Sequence, residues 1–277
     1  MLNIKEIGLE IEGNEIFSNV NFDISIGDKI SLVGENGVGK SSLLKILSGN
    51  IQPSNGFIHK QKDLEISLMP QNLDKWEDNT VYEFTEEFTG VKKARENFDE
   101  ACNNLTQIYT PKQSFIYEKS LKKYEHLGVY DFEQRLKKSL NNVGLKDLDI
   151  NTRLKEISGG QKNRIALSAI LTSKKDLILL DEPTNNLDSE GILILEKFIN
   201  QSKSSFIIVS HNINFISNTS NKIIELIGGS SGVKQYTCNY KEYIEIKNKE
   251  HESEIHNYEE NINFPRPYGR GFSLFQT

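Results

Sequence analysis

No stretch of these 277 residues approaches the roughly 20 consecutive apolar positions that cross a bilayer as a helix, so a membrane-spanning protein is excluded. The opening Met1-Leu2-Asn3-Ile4-Lys5-Glu6 has neither the basic start nor the apolar stretch of a secretory signal, and the chain is expected to stay in the cytoplasm. Cysteine is nearly missing. Cys102 and Cys238 stand far apart, without His or Cys neighbours at ligand spacing, which argues against a disulfide framework and against a structural zinc site. Positive charge is not in excess either. A formal charge of -6 and a pI near 5.5 exclude a global pull toward nucleic acid and leave any RNA contact to a local surface. No internal repeat is present. What remains, 36% hydrophobic and 26% charged residues with a mean hydropathy of -0.49, describes a soluble globular chain long enough for one substantial domain with an insertion or appendage.

From residue 2 to residue 30 apolar and polar positions alternate, as in Ile4, Ile7, Leu9, Ile11 and then Val20, Phe22, Ile24, Ile26. Gly13-Asn14 and Gly27-Asp28 punctuate these runs, and the pattern predicts a small antiparallel sheet. Ile30-Ser31-Leu32-Val33 is a short apolar run ending at Gly34, and Ser41 to Leu47 takes up helical spacing that stops at Gly49: strand, glycine loop, helix. Leu177-Ile178-Leu179-Leu180 and Phe206-Ile207-Ile208-Val209 read as strands buried on both faces of a parallel sheet. Residues 81–148, with little glycine or proline and apolar positions such as Phe84, Phe88, Val91, Phe132, Leu136 and Leu140 at helical intervals, read as a helical insertion. Thr110-Pro111 is expected to divide it into two helices, because proline cannot continue a helix interior. Residues 240–260 are polar and helix-compatible, and residues 263–277 are expected to be a disordered tail.

Gly34-Glu35-Asn36-Gly37-Val38-Gly39-Lys40-Ser41 fits the P-loop pattern, placed as that pattern requires between a strand and a helix. The glycines let backbone N–H groups turn inward around phosphate oxygens, Lys40 neutralises the outer phosphates, and the Ser41 hydroxyl is suited to magnesium. Asp181-Glu182 follows an apolar strand that delivers both carboxylates to the sheet edge. Asp181 is expected to hold magnesium through water, and Glu182 to orient or deprotonate the attacking water. Ser158-Gly159-Gly160-Gln161 precedes a helical stretch; alone, it reads better as a loop and helix cap without ligand than as an anion site.

Taken in order, Gly34 to Ser41, Gln71 after a short strand, Ser158 to Gln161, Asp181-Glu182 and His211 resemble an ATP-binding cassette (ABC) ATPase. Within that superfamily the chain resembles the ABC-F proteins, which lack membrane domains and act on the ribosome. Asp181-Glu182-Pro183-Thr184-Asn185-Asn186-Leu187-Asp188 is close to the ABC-F wording, departing at Asn186, where histidine is commoner. The helical insertion matches the ABC-F arm in place and length, and Cys238-Asn239-Tyr240-Lys241-Glu242-Tyr243 resembles the opening of that family's interdomain linker helix.

The resemblance implies an α/β P-loop fold with an antiparallel β subdomain, a parallel-sheet core and a helical subdomain carrying an arm. The core would take residues 1–80 and 149–239, the helical subdomain 81–148, and the linker 240–262. It implies ATP and Mg2+ as cofactors, with the phosphates held by Gly34, Asn36, Gly37, Gly39, Lys40, Ser41 and Ser42, and the metal by Ser41, Gln71 and Asp181. Glu182, His211 and Gln71 would be catalytic, His211 by contact with the gamma phosphate and Gln71 by sensing magnesium and water. Ser158, Gly159, Gly160 and Gln161 would close over ATP held by a second cassette, and Asp188 would belong to the loop crossing to that domain. The expected partners are therefore another cassette and the ribosome, through rRNA or tRNA near the tRNA exit site, in translation regulation or in protection against antibiotics. The ATPase subunit of a membrane transporter is the alternative. Two departures stand out. Ile11 and Glu12 fall where the family has an adenine-stacking aromatic, with Phe17 as the substitute candidate, and the chain ends soon after the linker begins, which reads as a truncated half of a two-cassette protein.

Overall fold

The computed structural model describes residues 1–70, 72–107, 109–185 and 187–263. β1 (Leu2–Ile11), β2 (Asn14–Ile24) and β4 (Asn55–Lys60) form a three-stranded antiparallel sheet in the order β2-β1-β4. A second, six-stranded sheet adds β3 (Lys29–Val33), β5 (Ile66–Leu68), β6 (Leu177–Asp181), β7 (Ser205–Val209), β8 (Lys222–Leu226) and β9 (Val233–Tyr236). Its order is β5-β6-β7-β3-β8-β9, parallel throughout except for β9, which runs antiparallel to β8.

β6 and β7 have no polar face because both faces of this sheet are covered. Ile178, Leu180, Phe206 and Ile208 point into one core with the helices, whereas Leu177, Leu179, Ile207 and Val209 point into another with the antiparallel sheet and α1 (Lys40–Leu47). Each such side chain, removed from water, is worth about 2 kcal/mol, so the central strands are the most firmly held part of the fold.

The helical insertion contains α2 (Val81–Thr89), α3 (Val91–Gln107), α4 (Pro111–Leu127) and α5 (Phe132–Asn142). Pro111 occupies the first turn of α4 and Thr110 caps it by accepting from the Gln113 N–H. The expectation of two helices is corrected to four. Gly90 and Gly128, with φ of 79° and 62°, close α2 and α4 in the left-handed conformation that an L side chain adopts only at a cost. Phe98 packs on Tyr117 and Tyr124 at ring-centroid distances of 5.7 and 4.7 Å, joining α3 and α4 as a hairpin. α6 (Gly159–Thr172), α7 (Ser189–Gln201) and α8 (Ile213–Thr219) connect the strands of the main sheet, and α9 (Tyr240–Asn263) follows β9. Asn263, read in the sequence as the first residue of the tail, is the last residue of α9; residues 264–277 lie outside the described residues. Among the described residues no helix is long and apolar enough to cross a membrane. Cys102 and Cys238 are free thiols, both half-buried.

α9 is fastened at its start. Tyr243 is buried against Tyr236, with ring centroids 5.1 Å apart, and Glu225 accepts from Tyr236 Oη at 3.1 Å and pairs with Lys247 at 3.2 Å. Burial, reinforced by the Glu225 carboxylate, pushes the Tyr236 phenol up to about 12, so it remains a donor.

Candidate functional site

β6, β7 and β3 are adjacent and parallel, so whatever follows their carboxyl ends is gathered at one edge of the sheet. Asp181 pairs with Val209 at the last rung of β6 and β7, and the chain continues into Glu182 on one side and Ser210-His211 on the other. β3 ends at Val33 and passes directly into the glycine loop. The parallel register alone therefore assembles segments far apart in the chain.

The loop is shaped by its glycines. Gly34, Gly37 and Gly39 have φ of 148°, 83° and 100°. A Cβ on Gly39 would lie 2.7 Å from the Phe17 ring, and one on Gly34 would lie 2.5 Å from the Leu226 carbonyl oxygen. Only glycine satisfies both the backbone and the space there. Asn36 is exposed at the turn, while Ser41 and Ser42 are half-buried in the first turn of α1. Lys40 folds back over the loop, its Nζ donating to the carbonyl oxygens of Gly34 and Glu35, each at 2.9 Å. The cation, the glycine loop and the helix start are thus brought together, an arrangement that suits a chain of phosphates.

Phe17 is fully buried beneath Gly39, so the expectation that it substitutes for an adenine-stacking aromatic is corrected: no face of its ring is open to a base. Its place is the core, because β2 turns it inward with Val20 and Phe22.

Glu182 has a φ of 49°, the left-handed region that is unfavourable for a non-glycine residue. Its N–H donates to the Val209 carbonyl at 2.8 Å, which pins it to the end of β7. The carboxylate in turn accepts from the His211 N–H at 3.2 Å, and its other oxygen lies 3.4 Å from His211 Nε2. The imidazole is mostly exposed, whereas the Glu182 side chain is only 21% so. Strain at Glu182 thus aims a carboxylate and an imidazole at the same edge. Thr184 and Ser210 join their hydroxyls at 3.1 Å just behind them. Gln71 and Asn186 lie outside the described residues.

Ser158 caps α6 in a capping box with Gln161: Ser158 Oγ accepts from the Gln161 N–H at 3.4 Å, and Gln161 Oε1 accepts from the Ser158 N–H at 3.2 Å. Ser158, Gly159, Gly160 and Gln161 are all exposed, and a Cβ on either glycine would meet nothing within 4 Å. Asp188 caps α7 by accepting from the Gly191 N–H at 2.9 Å, and its other oxygen accepts from Arg164 at 2.7 Å. Arg164, on the helix that Ser158 starts, escaped notice in the sequence. Its only signal there is a cation one and a half turns into a helix whose inner face is apolar. The same holds for Ser210, a polar residue directly after an apolar strand.

An open-edged α/β sheet with a glycine loop, an amine folded into it and a carboxylate pair two strands away defines a nucleotide-binding domain of the P-loop class. Residues 17–185 match the family described as ABC transporter, and the chain belongs to that family as an ATP-binding cassette. It is 31% identical over 233 residues to the energy-dependent translational throttle protein EttA of Mycobacterium tuberculosis, covering 84% of this chain and 41% of that protein. To the ATP-binding protein Uup of Haemophilus influenzae it is 30% identical over 233 residues, covering 84% of this chain and 35% of that one. The chain thus spans less than half the length of these curated relatives. The solved ATP-binding subunit of an ABC transporter has the same fold, with a TM-score of 0.61 over 84% of this chain and 89% of that one, at 19% identity.

Proposed function

We propose that the chain is an ATP-hydrolysing cassette of the ABC-F type that acts on the ribosome and completes its site with a second cassette. The observation that carries hydrolysis is the pairing of Glu182 with His211 at the sheet edge shared with the phosphate loop. Gly34, Asn36, Gly37, Gly39, Lys40, Ser41 and Ser42 hold the phosphates. Ser41, Asp181 and Gln71 hold magnesium, which when bound neutralises phosphate charge. Glu182 orients the attacking water and takes its proton, and His211 steadies that carboxylate and faces the outermost phosphate. The exposed α6 start, Ser158 to Gln161, is free to close over ATP on another cassette, and Asp188, held by Arg164, lies beside the crossing point.

Two features support the ribosomal part. The α3–α4 hairpin within the helical subdomain, taken as residues 81–148, leaves Tyr109, Phe115 and Ile116 exposed at and beside its turn, as an arm with a partner does. The likeness to a translational throttle protein points to the same partner. In this reading residues 240–262 begin a linker, and the work lies in translation regulation or in ribosomal protection against antibiotics. The test is co-sedimentation of Glu182→Gln with ribosomes. Binding in magnesium-ATP and not without nucleotide is expected; no association in either state, with capture of a membrane partner, would move the reading to a transporter subunit.

A further inference from the structure

At the opposite edge of the same sheet lies a cleft of about 990 Å³, between α4 and the segments that lead into the amino ends of β5, β6 and β7. β6 is five residues long, so the cleft is separated from the phosphate loop's edge by roughly 16 Å of strand. Seven lysines and three carboxylates line it, in a chain whose net charge is -6. Lys119, Lys122 and Lys123 share one face of α4 at helical spacing, and Lys62, Lys174 and Lys203 stand on the facing segments.

Two of the lysines share one carboxylate: Lys123 and Lys175 pair with Glu65 at 2.6 and 3.0 Å. Lys62, Lys119, Lys122, Lys174 and Lys203 have no carboxylate within ion-pair distance among the described residues. The floor beneath them is braced. The Glu65 N–H donates to Asp176 at 2.8 Å, the Asp176 N–H returns to the Glu65 carbonyl at 3.0 Å, and the Ser205 N–H donates to the Asp176 carbonyl at 2.8 Å. Buried Lys29 fastens the segment bearing Lys203 by donating to the carbonyls of Ser202, at 3.0 Å, and Ser204.

We propose that this cleft is a second anion site, for a compact polyphosphate. Unpaired ammonium groups on facing walls of a concavity concentrate positive potential, and the volume is that of a small-molecule site. Among the described residues that line it none is Phe, Tyr, Trp or Arg, and exposed His126 supplies the one aromatic ring. With a single exposed imidazole and no guanidinium to stack on a base, the lysines dominate the lining and favour closely spaced phosphates. The proposal does not depend on the ATPase reading.

The test is titration calorimetry with inorganic tripolyphosphate in magnesium-free buffer, on the full chain carrying Lys40→Ala so that the phosphate loop does not contribute. One equivalent is expected to bind, with affinity falling as salt rises. Adding Lys119→Glu, Lys122→Glu and Lys203→Glu, all at exposed positions, is expected to weaken binding at least tenfold while the circular dichroism melt stays in place. Affinity indifferent to the charge reversals, or orthophosphate bound as tightly as tripolyphosphate, overturns the site. An RNA hairpin bound at least tenfold more tightly than tripolyphosphate, and lost in the same variant, overturns the small-ligand assignment in favour of a nucleic-acid backbone. If the reversed chain fails to fold, Lys119→Gln with Lys122→Gln is the substitute, with a smaller loss expected.

Discussion

The two edges of the main sheet handle charge in opposite ways. At the carboxyl edge a single cation, Lys40, is spent on loop carbonyls and the remaining donors are backbone N–H groups, held by glycines that nothing else can replace. At the amino edge the backbone does little and lysines from four segments supply the field. The first arrangement holds the backbone in one shape, which suits the positioning that phosphoryl transfer needs. The second tolerates the mobility of lysine side chains, which suits attraction and not chemistry. One sheet thus carries a site built from shape and a site built from charge.

The largest expected effect separates chemistry from binding at the carboxyl edge. Glu182→Gln is expected to cut ATP turnover by about 100- to 1,000-fold, with ATP affinity within a factor of two of the parent, read by phosphate release and calorimetry. Lys40→Ala is expected to weaken ATP by about 100-fold while leaving tripolyphosphate binding at the amino edge intact, so loss of both would break the comparison.

Shape dependence is checked by Gly39→Ala, which sets a methyl 2.7 Å from Phe17 at a φ of 100° and is expected to cost about 3 kcal/mol in urea unfolding. Gly160→Ala, in open space on α6, is expected to change stability by less than about 0.5 kcal/mol.

A smaller effect than at Gly39 is expected at the amino edge. Burial alone would push the Glu65 carboxyl up, but hydrogen bonds from Lys123 and Lys175 outweigh it and hold the group down at about 2. A depressed carboxyl stabilises the fold above its unfolded value of 4.5, and that contribution is lost as pH falls toward about 2. Glu65→Gln is accordingly expected to cost about 1 kcal/mol at pH 6, after discounting for solvent screening, with a gap to the parent that narrows on acidification below pH 4.5. A gap independent of pH would show that the carboxylate's charge is immaterial there.

The same contrast explains what the sequence made legible. Gly34 to Ser41, Ser158 to Gln161 and Asp181-Glu182 are contiguous, because a loop that wraps phosphates or a strand that ends in carboxylates must be continuous chain, and the ABC cassette fold followed from their order. Strands β6 and β7 were readable for a related reason: with both faces covered, residues 177–180 and 206–209 are unbroken apolar runs. Lys62, Lys119, Lys174 and Lys203 carry no spacing that links them; the parallel register of β5, β6 and β7 gathers three of them, and α4 brings Lys119 against them. Gly90 and Gly128 were overlooked as helix ends because a single glycine inside a polar helical pattern looks tolerable until its φ is seen. Phe17 failed as an adenine platform because proximity to the loop in sequence does not say which way β2 turns a ring. β8 and β9, short and partly polar at the sheet margin, offered no buried run to detect.

The central claim is that the carboxyl edge is half of a composite hydrolytic site, with Ser158 to Gln161 of a second cassette completing it. The direct measurement is ATP turnover per chain as a function of protein concentration, with sedimentation velocity of Glu182→Gln in magnesium-ATP alongside. The account predicts that specific activity rises with concentration toward a plateau and that Glu182→Gln with ATP forms a dimer that disperses when nucleotide is removed. Turnover that is independent of concentration, by a chain that stays monomeric with ATP bound, would contradict it.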